Sequence, residues 1–281
     1  MHLIGRTEKP QRQPRALRSV YCYAIEMDEK TLKAKSSLAT TAGLFLARAV
    51  CETLWPTRCA VCDELGAVLC DRCRRALPYI DYWRACPRCG APYGSVLCTE
   101  CNPVMLRSVG RTALPYASCA SALAYEAEAA RIVTTYKDRG EQRLAAPMAE
   151  LMAAVVAPEW LDSEQAGQIV ATFVPATRTA LRRRGFDHAE LLAKTTAEAL
   201  GITALPLLAR PASKDQRALG RKDRARNMTG RFAPLPQAEP HKRVLLIDDV
   251  CTTGSTLADA SDALLALGCT EIRCLTFARV W

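Results

Sequence analysis

Between residues 116 and 281 the apolar positions alternate between two rhythms. Short continuous apolar runs at 168–174, 244–247 and 272–277 fit strands covered on both faces. Further strands are expected at 117–125 and 202–208. Three-to-four-residue spacing between them predicts helices over 126–139, stopped by Gly140, over 145–156, and over 186–200, closed by Gly201. Strands alternating with helices imply right-handed crossovers and parallel pairing. The expected fold class is therefore α/β, an open, mostly parallel twisted sheet flanked by helices. Upstream, Leu38, Ala42, Phe45, Leu46, Ala49, Val50 and Leu54 recur at helical spacing, and Pro56 ends the run. Residues 1–36 carry Arg6, Lys9, Arg12, Arg15 and Arg18 with little apolar period, and a disordered basic extension is expected there. The resulting domain expectation is 1–36 extension, 37–56 amphipathic helix, 57–104 cysteine-rich module and 112–281 α/β domain.

Charge and cysteine content change this picture. The 281 residues carry a formal +9. Between Arg178 and Arg231 stand 13 Lys/Arg against 5 Asp/Glu, so +8 falls in that segment and points to a polyanionic partner, nucleic acid or a pyrophosphate-bearing metabolite. No apolar run approaches the ~18 residues of a membrane span. The stretch 37–50 is broken by Thr40, Thr41 and Arg48, against a signal-peptide reading.

Eight of the 14 cysteines form four C-x-x-C pairs: Cys59/Cys62, Cys70/Cys73, Cys86/Cys89 and Cys98/Cys101. This is metal-ligand spacing, which fits a reducing, cytoplasmic setting better than a disulfide framework. Two thiolates three residues apart on a tight turn aim at one point, and two such turns close a tetrahedron. Two structural Zn²⁺ sites are expected, each with no open position. Eight thiolates with two Zn²⁺ would then bring the net charge to about +5, because ligating thiols are deprotonated. The module holds too little apolar mass to fold without metal. Two roles stay open: a pair of zinc ribbons contacting nucleic acid or protein, or metal staples for a small lobe.

The stretch from Val244 to Leu257 concentrates the chemistry. Val244–Ile247 is a buried strand; Asp248 and Asp249 follow, then Thr252, Thr253, Gly254, Ser255 and Thr256 form a polar turn. A helix opens out of it, with Leu257, Ala260, Leu264 and Leu265 on one face and Gly268 at its stop. Free N–H groups at a helix start, with hydroxyls around them, suit a phosphate. Two carboxylates beside it suit a sugar diol. Together they point to a phosphorylated ribose, and the G-x-x-x-x-G-K-[ST] pattern with its lysine is missing.

This stretch resembles the 5-phosphoribosyl-1-pyrophosphate (PRPP) motif of type I phosphoribosyltransferases. Residues 40–281 further resemble the ComF (GntX) family, a double zinc ribbon joined to a type I phosphoribosyltransferase domain. Arg184, Gly185, Phe186, Ala189, Leu192 and Ala193 match one family segment, and Gln216, Leu219, Arg224 and Asn227 match another. Asp187 and His188 stand where the family usually has Asn and Gln, and His188 is expected to cap or bond locally.

The resemblance implies PRPP binding with Mg²⁺. Thr252–Thr256 would hold the 5-phosphate, and Asp248 and Asp249 the ribose hydroxyls. Pyrophosphate would leave toward Ala176, Thr177 and Arg178, a strand-end loop rich in cations. The basic, Gly-punctuated stretch 214–231 reads as a flap that closes over it, with Lys214, Arg217 and Arg221 neutralising charge, or else as a nucleic-acid-binding strip or a solvated helix. The acceptor would be nucleobase-like. The family also implies a rival: a non-catalytic competence factor for DNA uptake, with single-stranded DNA and a DNA helicase as partners.

Overall fold

A computed structural model describes Thr53 and residues 56–161, 169–210 and 232–281. The expected extension over 1–36, the helix over 37–56 apart from Thr53 and Pro56, and the flap with Lys214, Arg217 and Arg221 lie outside these residues. The chain divides into two compact units, residues 1–58 with 64–67, and residues 59–63 with 68–281. In the first, Arg58 and Leu65 form an antiparallel bridge, and the Gly66 N–H donates to the Thr57 carbonyl. The second unit carries both cysteine sets and the sheet.

Its elements are α1 (Asp71–Arg75), α2 (Pro103–Ser108), β1 (Ser118–Ala124), α3 (Ala127–Lys137), α4 (Ala145–Ala153), β2 (Ile169–Phe173), α5 (Arg178–Arg184), α6 (His188–Leu200), β3 (Thr203–Ala204), β4 (Arg243–Cys251), α7 (Ser255–Leu267) and β5 (Glu271–Arg279). The five strands form one parallel sheet in the order β1-β5-β4-β2-β3. Alternating positions explain why the central strands read as unbroken apolar runs. Leu245 and Ile247 face a core shared with α4 and α6, whereas Val244 and Leu246 face one shared with α7. Thus α6, which follows β2, and α7, which follows β4, cover opposite faces. Between the carboxyl ends of these adjacent strands lies the crevice where open α/β sheets bind ligands.

Several expected boundaries shift. β4 does not end at Ile247: it pairs on through Asp248 to Cys251, matched by Thr276–Arg279 of β5, so both acids belong to the strand. The strand expected at 202–208 shortens to Thr203–Ala204 at the sheet edge. Leu265 is 42% exposed and lies off the buried face of α7. The cation-bearing loop expected after β2 is instead a helix. Thr177 caps it, accepting from the Ala180 N–H, and Gly185 closes it at φ 84°. Arg182, Arg183 and Arg184 therefore lie in the last turn of α5, where the helix dipole favours cations.

The cysteine-rich module covers the β1 edge. The Ile80 N–H donates to the Ala122 carbonyl, the Ala124 N–H to the Pro78 carbonyl, and Tyr79 bridges Leu123 antiparallel. This pairing occupies a strand edge that would otherwise be open.

Candidate functional site

The two cysteine sets close as the spacing requires. Ligand atoms of Cys59, Cys62, Cys70 and Cys73 lie within 4.8 Å of one another, as do those of Cys86, Cys89, Cys98 and Cys101. Tetrahedral zinc with Zn–S of about 2.3 Å would place its sulfurs about 3.8 Å apart. Cys62–Cys70, Cys86–Cys101 and Cys89–Cys98 stand 3.8, 3.6 and 3.5 Å apart. Backbone N–H groups of Cys70 and Glu100 point at Cys59 Sγ and Cys98 Sγ. The residues present thus fit two four-thiolate metal sites. The first packs into the main core with Leu69 and Leu77; the second has only a small apolar cluster of its own, completed by Ala91.

The second set is tied to β4. Arg279, at the end of β5, is 2% exposed. Its guanidinium donates to the Cys89 carbonyl at 2.8 Å and lies 2.9 Å from the sulfur of Cys251, the residue before the polar turn.

At the carboxyl end of β4 opens a cleft of about 480 Å³. Asp248, Asp249, Thr252 and Thr256 line it, so the acids and part of the turn come together. Gly254 carries the turn at φ 75°, a left-handed conformation that suits glycine. Thr253 Oγ1 and Ser255 Oγ hydrogen-bond each other at 2.9 Å, and the Ser255 N–H donates to Thr253 Oγ1. Thr252, Thr253 and Ser255 are exposed, and Thr256 is half-buried at the start of α7. From the segment after β2 the cleft takes Arg183 and Arg184, not Ala176, Thr177 or Arg178. Ala176 is buried, Thr177 is engaged as the α5 cap, and Arg178 is exposed.

The cleft also takes residues that motif reading did not place. Strand parity turns Asp249 to the face of Leu245 and Ile247. There Lys137 Nζ, from the last residue of α3, meets Asp249 Oδ2 at 2.5 Å. His188 Nε2 lies 3.6 Å from the same oxygen. Arg184 Nη1 lies 3.2 Å from His188 Nδ1. A guanidinium only donates, so Nδ1 accepts and the imidazole proton sits on Nε2, facing Asp249. His188, Asp248 and Asp249 could by distance hold a metal ion. This tautomer leaves no lone pair at Nε2 for one, and Lys137 already supplies the cation.

The electrostatics follow from burial. Burial, with the neighbouring Lys137 and Arg184 charges, depresses His188 from 6.5 to about 4, outweighing the pull of Asp249. Burial opposes ionisation of Asp249, but Lys137 and His188 outweigh it and hold the carboxyl below its usual range. Burial and the adjacent Asp249 charge push Asp248 well up. Within the pair, Asp249 therefore ionises first and Asp248 keeps its proton to higher pH.

Asp187, the departure beside His188, caps α6. Its Oδ1 accepts from the N–H groups of Ala189 and Glu190. Its Oδ2 accepts from the Ala176 N–H and from Arg210, which also donates to the Ala176 carbonyl. The loop after β2 is thus pinned to α6 and Arg210 through one carboxylate. His188 does not cap; it is buried against the acids.

Residues 198–280 match the model of the phosphoribosyl transferase domain family. Over 101 residues the chain is 39% identical to competence protein F of Haemophilus influenzae, covering 34% of this chain and 44% of that protein, so the chain spans less than half of its length. It is 27% identical over 212 residues to DNA utilization protein YhgH of Salmonella typhi, covering 73% of this chain and 87% of that protein. Among solved structures, an allosteric regulatory enzyme of purine biosynthesis is 21% identical with a TM-score of 0.33, covering 47% of this chain and 26% of that one. An orotate phosphoribosyltransferase from Aeropyrum pernix is 17% identical with a TM-score of 0.28, covering 50% and 74%. Likeness at these scores is too loose to build on. No helix among the described residues is long and apolar enough to cross a membrane.

Proposed function

For a chain that carries a phosphoribosyl transferase domain and is homologous to competence protein F and YhgH, we propose that the cleft at the end of β4 binds PRPP with its Mg²⁺ and can transfer the phosphoribosyl group to a nucleobase-like acceptor. The observation that carries this is the joining of the Asp248–Asp249 pair and the Thr252–Thr256 turn at the topological switch of the sheet. The N–H groups opening α7 and the turn hydroxyls receive the 5-phosphate. The ionised Asp249 accepts from a ribose hydroxyl, and Asp248 stands beside it for the second hydroxyl. Mg²⁺ would arrive as part of the substrate and would neutralise the leaving charge. Arg183 and Arg184 take the pyrophosphate side of the cleft; Lys214, Arg217 and Arg221, outside the described residues, would add positive charge there. The protein's contribution is then positioning and charge stabilisation, with no dedicated base. The two four-cysteine sets hold zinc as structural staples.

A second reading is favoured by one observation. Trp83, Tyr93 and Trp281 are 84%, 61% and 65% exposed, Tyr93 packs against Trp281, and Arg84 lies over the Tyr93 ring. Exposed aromatics interleaved with arginine form a stacking surface for single-stranded DNA, the partner of a competence factor.

Calorimetric titration of Mg-PRPP into the zinc-loaded protein separates the readings, beside a D248N/D249N double variant and a single-stranded oligonucleotide. Micromolar binding of PRPP, lost in the variant, supports the transferase site. Oligonucleotide binding alone, weakening steeply with salt, moves the function to DNA.

A further inference from the structure

Two carboxylates make a poor place to bring a phosphate and a pyrophosphate unless cations stand beside them. Asp248 is 8% exposed and Asp249 3%, so water screens their charge weakly. The turn that faces the 5-phosphate supplies hydroxyls and N–H groups but no cationic side chain. The missing charge comes from another element. Lys137 ends α3, where the helix dipole favours a cation, and lies 112 residues before the acid it touches. Its ammonium has three donors. One is spent on Asp249 Oδ2, while the side chain stays 25% exposed and lines the cleft with Arg183 and Arg184. His188 Nε2 stands 3.6 Å from the same oxygen, Arg184 holds the other ring nitrogen of His188, and Asp138 holds Arg184 in turn at 3.3 Å.

We infer that Lys137 is a ligand-contacting residue: it holds Asp249 for the ribose and turns its remaining donors onto the pyrophosphate of the same molecule. This deepens the transferase reading and rests on it. The bridge links recognition of the sugar to recognition of its leaving group. It also gives the cleft a means of preferring a pyrophosphorylated ribose over a ribose carrying the 5-phosphate alone.

The test compares Mg-PRPP with ribose 5-phosphate on full-length wild type, K137Q and K137R, with thermal melts as the folding check. A charge-assisted hydrogen bond corresponds to roughly 10- to 100-fold in affinity. K137Q is expected to lose that much for PRPP and clearly less for ribose 5-phosphate, whereas K137R keeps most of the preference. Unchanged PRPP affinity in K137Q would overturn the inference. So would an equal loss for both ligands, because Lys137 would then only position Asp249. If K137Q melts early, K137R carries the test: an Arg variant that folds but loses affinity for both ligands equally overturns the inference in the same way. A wild type that binds neither ligand would instead overturn the transferase reading, and this inference with it.

Discussion

Two glycines provide a matched pair for asking whether the second cysteine set is held by its seat on β1. Gly90 and Gly110 both sit in the left-handed region, at φ 72° and 74°. A Cβ at Gly90 would lie 2.6 Å from the Cys119 carbonyl oxygen and 3.2 Å from its carbon, both backbone atoms of β1, whereas a Cβ at Gly110 would meet nothing within 4 Å. Alanine at either position incurs the left-handed backbone penalty of about 1–2 kcal/mol. At Gly90 the knuckle must also retreat by 0.8 Å, from 2.6 to 3.4 Å, to reach ordinary contact. Overpacking of that kind costs about 1–3 kcal/mol more. G110A should therefore lose about 1–2 kcal/mol and G90A about 2–5 kcal/mol in urea unfolding of the zinc-loaded protein. The Gly90 N–H donates to the Cys86 carbonyl, and Cys89 precedes it, so G90A should also release zinc more readily to a chelator. Equal losses in the two variants, with unchanged zinc retention, would refute the claim that this close approach seats the metal site.

Further consequences concern pH and metal. The folded pKa of His188, about 4, lies below its ordinary 6.5, so the unfolded chain takes up the proton first. The penalty is absent above pH 6.5 and grows as pH falls toward 4, reaching about 3 kcal/mol at ~1.4 kcal/mol per unit. H188Q should lose stability less steeply than wild type across that window in urea titrations at stepped pH; parallel curves would contradict the buried neutral imidazole. Metal removal by a chelator should strip amide-exchange protection from residues 86–101 before the sheet, because that lobe has little apolar core of its own. Protection that survives chelation would show that the lobe folds without metal.

What the sequence disclosed and what it hid have a common physical origin. The C-x-x-C pairs and the Val244–Thr256 stretch are local: each is written in consecutive residues, the cysteines closing into two sets and Asp248, Asp249, Thr252 and Thr256 lining one cleft. Lys137, His188 and Arg184 are not, because sheet order and strand parity bring them to Asp249. The Lys137 contact spans 112 residues, and no short motif can carry it. Helix α5 is also written locally: Thr177 and Gly185 are its start and stop signals, on either side of the run of arginines. Asp187 looked like a defect in a family pattern, yet its two oxygens cap α6 and pin Ala176.

The central claim is that one cleft reads a phosphorylated ribose with an acid pair and a phosphate turn. A crystal structure of the zinc-loaded protein soaked with Mg-PRPP tests it most directly. The account predicts the 5-phosphate on the N–H groups and hydroxyls of Thr252–Thr256, with the ribose hydroxyls on Asp248 and Asp249. Ligand density elsewhere, or a cleft left empty at saturating PRPP, would contradict it.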